Sequence, residues 1–300
     1  MSLVRQSAGL VLSVGIASAI AFPMHLELYA AVAFGVNWLV ALLYGIPKQS
    51  ERFYDLTGSL TFITVSILAA VVHEKKTLDI NLLLRSFVAS GLVIVWALRL
   101  GSFLFWRIKK SGVDDRFDEI KVLPLRFLSA WTLQGLWVFV MLLPVTLLHT
   151  TSKIPAGVVT WTDIIGLGAW VIGFALEVIA DTQKTAFRAK YTDHSQFIST
   201  ELWRYSRHPN YFGEILLWIG MMIFSAGQLA TTSEILVSIL SPLLLTLLLT
   251  KVSGIPLLEK KADDKWGNSK DYQEYKNSTS VLIPWFPSAR NVSEKTPLKS

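Results

Sequence analysis

One short string, residues 205–214, combines most of the side chains that could bind a cofactor or move a proton. Pro209 favours the start of a helix within it, since proline lacks the N–H that would be unsatisfied in a first turn. Asn210 and Glu214 then lie one turn apart on the same helix face. This amide and carboxylate either hydrogen-bond each other or together orient a bound molecule.

Two further polar residues, Arg207 and His208, immediately precede that helix. The first N–H groups of a helix and its dipole both favour an anion at this end. An arginine adds a planar fork of donors that suits phosphate or carboxylate. The pattern therefore predicts a site for an anionic cofactor at the start of the helix.

A second group of polar residues lies at the end of an apolar segment that precedes this string. Glu177 and Asp181 are four residues apart, and Lys184 and Arg188 follow at spacings of three and four, so all four share one helix face. The bases either pair with the acids, or Asp181 accepts hydrogen bonds from a ribose or amide while Arg188 binds phosphate. Ionisable groups at membrane depth cost about 2.5–3.5 kcal/mol each, which favours a functional reason.

Several kinds of chemistry are excluded or disfavoured by the composition. The chain has no cysteine, which excludes disulfides, thiolate zinc sites, iron–sulfur clusters and a cysteine nucleophile. No Rossmann, Walker or nucleophile-elbow pattern is present. The other histidines lie apart without metal-ligand spacing, so we expect no metal site: His25, His73, His149 and His194.

The elements that position these residues are transmembrane helices. A composition that is 52% hydrophobic, with long apolar runs, indicates a bilayer as the solvent. We predict an all-α, multi-pass transmembrane bundle of about eight spans, or seven if the first is a signal peptide. The predicted spans are 7–24, 26–46, 56–73, 80–105, 127–149, 162–180, 211–229 and 235–252.

The distribution of basic residues predicts the orientation of these spans. Most of the 28 Lys and Arg residues fall on one side, in the N-terminus, 47–55, 106–126, 181–208 and the tail after Lys251. By the positive-inside rule both termini are cytoplasmic. The net charge of +6 then reflects topology, and we expect no nucleic-acid partner. The endoplasmic reticulum of a eukaryote and a bacterial inner membrane fit equally well.

The rest of the organisation follows from these spans. We predict a transmembrane hairpin over 1–54, a membrane domain carrying the site over 55–287, and a mobile polar tail over 288–300. The acidic loop 112–119 is either a solvated loop or part of the site. Three glycines of span six are expected to permit close helix packing: Gly166, Gly168 and Gly173.

Residues 202–214, Leu-Trp-Arg-Tyr-Ser-Arg-His-Pro-Asn-Tyr-Phe-Gly-Glu, resemble the steroid 5-alpha-reductase and sterol-reductase superfamily, which includes isoprenylcysteine carboxyl methyltransferases. Reductases and methyltransferases share the Arg-His-Pro-x-Tyr-x-Gly part. Further segments resemble the little-characterised branch with a steroid-reductase C-terminal domain: 96–101, 114–117, 177–181 and 253–259. The likeness covers about residues 55 to 287.

This resemblance implies NADPH as the cofactor. Asn210 and Glu214 match reductase residues that contact the nicotinamide end, and Asp181 and Arg188 fall where reductases bind the adenosine and phosphates. Tyr205 matches a tyrosine that lines the cofactor, beside Arg207 and His208 of the shared motif.

Three departures limit the resemblance. Gly254 and Ile255 replace the usual His-Arg pair, and Glu201 replaces a glycine. Span two lacks the polar pair with which steroid reductases bind the substrate carbonyl, so steroid specificity does not carry over.

The implied reaction is hydride transfer to a carbon–carbon double bond of a lipophilic substrate, such as a sterol, terpenoid or enone, taken from the bilayer. The candidate catalytic residues are Glu214, Tyr211 and Asp55, with Tyr54 as a further proton donor. The sequence leaves the proton donor and the oligomeric state open.

Two alternatives remain. The first is an S-adenosylmethionine-dependent methyltransferase, which the shared motif and the position of Glu259 both suit. The second is a non-catalytic lipid-binding relative, which the missing His-Arg pair suggests.

Overall fold

The computed structural model describes residues 3–72, 79–111, 117–151, 159–191 and 196–288, with the backbone alone at 3–6 and 107–111. Within those ranges the chain forms helices and no strands, so the predicted all-α class is confirmed. Four parts of the predictions lie outside the described residues: residues 112–116 of the acidic loop, His73, His194 and the tail from 289.

Twelve α-helices occupy the described part of the chain: α1 Leu3–Met24, α2 Glu27–Val40, α3 Ile46–Lys48, α4 Tyr54–Val71, α5 Ile80–Ser111, α6 Pro124–Met141, α7 Leu143–Thr150, α8 Trp161–Lys190, α9 Pro209–Ala226, α10 Thr232–Leu247, α11 Ile255–Trp266 and α12 Lys270–Ser278. π-helical turns extend α2 and α10, at Ala41–Gly45 and Leu248–Val252, and a 3-10 helix covers Glu201–Arg204.

The described helices fit a multi-pass membrane protein but do not support eight spans. Six are long and apolar enough to cross a membrane: Ser7–Met24, Glu27–Lys48, Tyr54–Val71, Ile80–Trp106, Trp161–Lys190 and Thr232–Trp266. A seventh span results if α6 and α7, bent by 53° to each other, count together. Helix α9 is not among them, because Asn210, Tyr211 and Glu214 lower the mean hydropathy of its 18 residues.

The break between α6 and α7 divides the predicted span 127–149 at Leu142. Pro144 lies one residue into α7, where its ring would clash with the carbonyl four residues earlier and its missing N–H removes a helix bond. The chain therefore bends at Leu142 instead of continuing as one straight helix.

The chain divides into two compact units. Unit 1 comprises Met1–Leu167 and Met221–Leu244, and unit 2 comprises Gly168–Gly220 and Leu245–Ser300. In unit 1, α1 and α2 pack against α6, and α4 packs against α2 and α5. Its core includes the fully buried rings of Phe127 and Trp131. The predicted boundary at residue 54 stays a prediction.

Within unit 1, a buried ion pair accounts for an arginine at membrane depth. Arg85 donates through Nε to Asp163 Oδ1 at 3.0 Å and through Nη2 to Oδ2 at 2.7 Å. The backbone N–H and the hydroxyl of Thr160 also donate to Oδ2. Both charged residues are more than nine-tenths buried, and each satisfies the other, which limits the cost of removing two charges from water.

The glycines of α8 have different roles. A Cβ at Gly166 would lie 2.5 Å from Phe224 N in unit 1, and one at Gly173 would lie 2.5 Å from Leu217 N in unit 2. Close packing is therefore confirmed at these two positions. The prediction is wrong for Gly168, where no atom of another packed element in the described part of the chain lies within 4 Å of the added Cβ.

Candidate cofactor site

The site in unit 2 is built on a close crossing of α8 and α9. A Cβ at Gly213 would lie 2.6 Å from Gly173 O and 2.7 Å from Glu177 N. Only glycine at both positions lets the two backbones approach this closely. The crossing brings the first turn of α9 against the stretch of α8 that carries Glu177 and Asp181.

Asn210 and Asp181 meet across this crossing. Asn210 Nδ2 donates a hydrogen bond to Asp181 Oδ1 at 3.1 Å, and Asp181 is only 7% exposed. The bond joins two residues that the sequence placed in separate motifs. It also fixes the orientation of the amide, because the nitrogen must face the carboxylate and the oxygen is left as an acceptor.

Arg207 and His208 meet a carboxylate of α11 that the sequence did not connect to them. His208 Nε2 lies 2.8 Å from Glu259 Oε1, and Arg207 Nη1 lies 2.9 Å from Glu259 Oε2. Lys276 Nζ lies 3.7 Å from the same Oε2 and also pairs with Asp263. Bases from the turn before α9 and from α12 thus converge on the acids of α11.

Burial governs the electrostatics of this cluster. It lowers the pKa of His208, and the hydrogen bond to Glu259 opposes that effect only in part. The imidazole is therefore held neutral at a pH where an exposed histidine begins to protonate. Two buried nitrogens of Arg207, Nε and Nη1, make no hydrogen bond to the described residues, so the contact of Nη1 with Glu259 is an ion pair without hydrogen-bond geometry.

Trp203 supports the turn that carries these bases. Its indole Nε1 donates to Ala180 O at 3.2 Å, and its own carbonyl accepts from the hydroxyl of Tyr275 at 2.7 Å. Burial raises the pKa of Tyr275, so this hydroxyl stays protonated and remains a donor. Lys184 Nζ lies 4.6 Å above the Trp203 ring, a cation–π contact that gives this lysine a structural role.

The other predicted residues occupy different surroundings. The Tyr211 ring stacks on His208 with centroids 5.7 Å apart, and Tyr205 meets Phe286 edge-on at 5.9 Å. Arg188 is exposed near the end of α8, and Glu214 is half-buried on α9. All the predicted site residues except Asp55 therefore lie in unit 2.

Asp55 lies in the first turn of α4, in unit 1, so its role stays a prediction. The neighbouring Tyr54 donates its hydroxyl hydrogen to Ala130 O at 3.0 Å and packs edge-on against Trp131. Because that hydroxyl is engaged in the core of unit 1, Tyr54 is a weaker proton donor than the sequence indicated.

Gly254 explains one departure from the reductase pattern. It precedes α11, and a Cβ there would lie 2.5 Å from Leu249 O. A histidine at this position would require the backbone to shift. The close packing of Gly254 against the π-helical turn before α11 therefore accounts for the absence of a histidine at this position.

A metal centre has no support in the described ranges, where no three His, Asp or Glu residues are grouped to hold an ion. The donors of unit 2 are amide, guanidinium, ammonium and imidazole groups, with carboxylates beside them. Such a set suits an organic cofactor that carries phosphate and amide groups.

Comparison with known proteins agrees at the level of the family. The model of a family described as "Protein of unknown function (DUF1295)" matches residues 38–279. The chain belongs to the DUF1295 family. DUF1295 is steroid 5-alpha-reductase-like, which confirms the resemblance at that level, and the match includes all of Asp181, Asn210 and Glu259. No curated protein and no solved structure matches this DUF1295 chain.

Proposed function

We propose that this DUF1295 protein is a membrane-embedded reductase that uses NADPH to reduce a carbon–carbon double bond of a lipophilic substrate. The observation that carries the proposal is the hydrogen bond from Asn210 to the buried Asp181. A buried carboxylate that holds an amide at a helix start is a costly arrangement, which favours a role in orienting a ligand.

Two groups of the site suit a dinucleotide, and a third, a carboxylate, disfavours a phosphate beside it. Asn210 keeps its amide oxygen as an acceptor, which suits the N–H groups of a carboxamide. Arg188 is exposed near the end of α8 and suits a phosphate. Glu259 already balances Arg207, so a phosphate there would have to displace or repel a carboxylate.

NADPH, when bound, supplies a hydride. In this proposal Asn210 and Glu214 orient the nicotinamide end, and Asp181 acts as a positioning residue through its bond to Asn210. Tyr211, held by stacking on His208, is a candidate to deliver a proton from its hydroxyl to the substrate. The apolar spans would supply the route for a lipophilic substrate and keep water away.

A binding titration tests the proposal. Purified protein in nanodiscs is titrated with NADPH, NADH and S-adenosylmethionine, with tryptophan fluorescence as the signal. We expect NADPH to bind, Asn210→Ala to weaken that binding at least tenfold, and Asn277→Ala, an exposed amide on α12, to leave it unchanged. Binding of S-adenosylmethionine without NADPH would contradict the proposal.

The same titration tests Arg188 as the residue that selects NADPH over NADH. We expect Arg188→Ala to bind both dinucleotides with similar affinity, because the 2′-phosphate would lose its partner. Arg204→Ala is the matched control, since Arg204 is also an exposed arginine of unit 2. A preference for NADPH that survives in Arg188→Ala would exclude this role.

One observation favours a second candidate, a methyltransferase. Glu259 places a carboxylate beside His208, and a carboxylate suits the positively charged groups of S-adenosylmethionine better than a phosphate. Failure to bind NADPH, NADH or S-adenosylmethionine would instead favour a non-catalytic lipid-binding protein.

A further inference from the structure

The stretch after α12 presents large apolar side chains on the outside of unit 2. Residues 281–286 are called the apolar segment below. Four of their side chains are 42%, 62%, 71% and 77% exposed, in the order Val281, Ile283, Trp285 and Phe286. No helix includes them. A single exposed apolar side chain is ordinary, but several together mark an interaction surface.

The backbone of the apolar segment is bonded to the turn before α9. Two hydrogen bonds join them: Ser206 Oγ donates to Leu282 O at 2.8 Å, and Trp285 N donates to Tyr205 O at 2.9 Å. A third runs from Arg207 N to Ser280 O at 2.9 Å, directly before the segment. Pro284 and Pro287 have no N–H to satisfy. The segment therefore combines exposed apolar side chains with a backbone that hydrogen bonds hold against the turn before α9.

These two properties together match the boundary between lipid headgroups and acyl chains. A non-helical backbone does not enter the hydrocarbon, where unsatisfied polar groups are costly, but tryptophan and other apolar side chains concentrate at the membrane surface. The chain has several helices that fit a bilayer. A lipid surface is therefore the apolar partner closest at hand for the apolar segment.

We propose that the apolar segment is an interfacial anchor that inserts Ile283, Trp285 and Phe286 into the headgroup–acyl boundary of the bilayer. The anchor also holds the candidate site, because two hydrogen bonds connect it to Tyr205 and Ser206 and because Phe286 packs edge-on against Tyr205. Insertion would fix the depth of the Arg207–Glu259 cluster relative to the membrane surface. This inference stands independently of the proposed reaction.

Site-directed spin labelling tests the anchor, and no native cysteine has to be removed first because the sequence contains none. Ile283→Cys and Phe286→Cys are labelled with a nitroxide and reconstituted into vesicles of phosphatidylcholine and phosphatidylglycerol. Asn277→Cys, an exposed polar position on α12, is the aqueous control, and Leu247→Cys in α10 is the membrane reference. Trp285→Cys replaces either variant that does not elute as a single species.

Collisions with oxygen and with a water-soluble nickel chelate report the depth of each label. We expect labels at 283 and 286 to be several-fold less accessible to nickel than the label at 277, and shallower than the label at 247. Nickel accessibility equal to that of residue 277 would overturn the proposal. So would spectral narrowing when labelled protein is diluted with unlabelled protein, because that result would mean that a second copy covers the segment.

Discussion

Asn210 and Asp181 form a hydrogen bond 3.1 Å long between the first turn of α9 and the buried face of α8. The pair lies two turns of α8 beyond Gly173, where the two helix backbones are in close contact. The site therefore depends on two conditions. Glycines must let the two helices approach, and an amide must donate a hydrogen bond to a buried carboxylate.

Replacing Asn210 with aspartate should remove the bond and place two carboxylates in contact. We expect Asn210→Asp to lower the free energy of unfolding by about 2 kcal/mol, because the buried Asp181 would lose a donor and gain a like charge. Thermal unfolding in detergent measures the change. Asn277→Asp adds the same charge at an exposed position and is the control. A loss of stability in Asn277→Asp as large as that in Asn210→Asp would contradict the explanation by contact with Asp181.

Neutralising Glu259 should separate the two cofactor classes. We expect Glu259→Gln to destabilise the protein by about 1–3 kcal/mol, less than a fully buried pair would lose, because its side chain is 19% exposed. The same change should strengthen binding of NADPH if Arg207 contacts a phosphate, and weaken binding of S-adenosylmethionine if Glu259 contacts that cofactor. Asp264→Asn, an exposed acid of α11, should change neither affinity.

Stability should fall on mild acidification because of His208. Burial lowers its folded pKa below the ordinary 6.5, so between those values the unfolded chain binds more protons than the folded one. The contribution is complete above about pH 6.5 and is lost as the pH falls through the lowered pKa. We expect the unfolding temperature of His208→Gln to change less between pH 7 and pH 5 than that of the wild-type protein. An equal change in both proteins would contradict this explanation.

Two glycines of α8 should respond oppositely to alanine. Gly173→Ala would place a Cβ 2.6 Å from Gly213 O, so we expect a loss of about 1–3 kcal/mol and weaker binding at the site. Gly168→Ala adds a methyl group in open space and should be neutral, or stabilising by up to about 1 kcal/mol through helix propensity. Equal effects in thermal unfolding would show that the α8–α9 crossing does not require glycine.

Much of the fold follows from local pattern, and the errors have local causes. Long apolar runs predicted the helical membrane class, because hydropathy depends on composition alone. The predicted span 211–229 corresponds to α9, whose polar first turns make it too weakly apolar to count as a span. The apolar segment 281–286 was missed because it is short, contains prolines and has no helical period.

The sequence by itself determined which residues share a helix face. Asp181 with Arg188, and Asn210 with Glu214, follow from a period of 3.6 residues, and the start of α9 follows from Pro209. These relationships are local, since a helix fixes the direction of its own side chains.

Only the tertiary structure decided the partners. Asn210 bonds to Asp181, 29 residues away, and His208 to Glu259, 51 residues away. Sequence spacing does not encode such contacts, because they depend on how closely two helices cross and at which residues. At Gly173 and Gly213 the absence of a side chain, which carries no chemistry of its own, sets that crossing and with it the position of Asn210 beside Asp181.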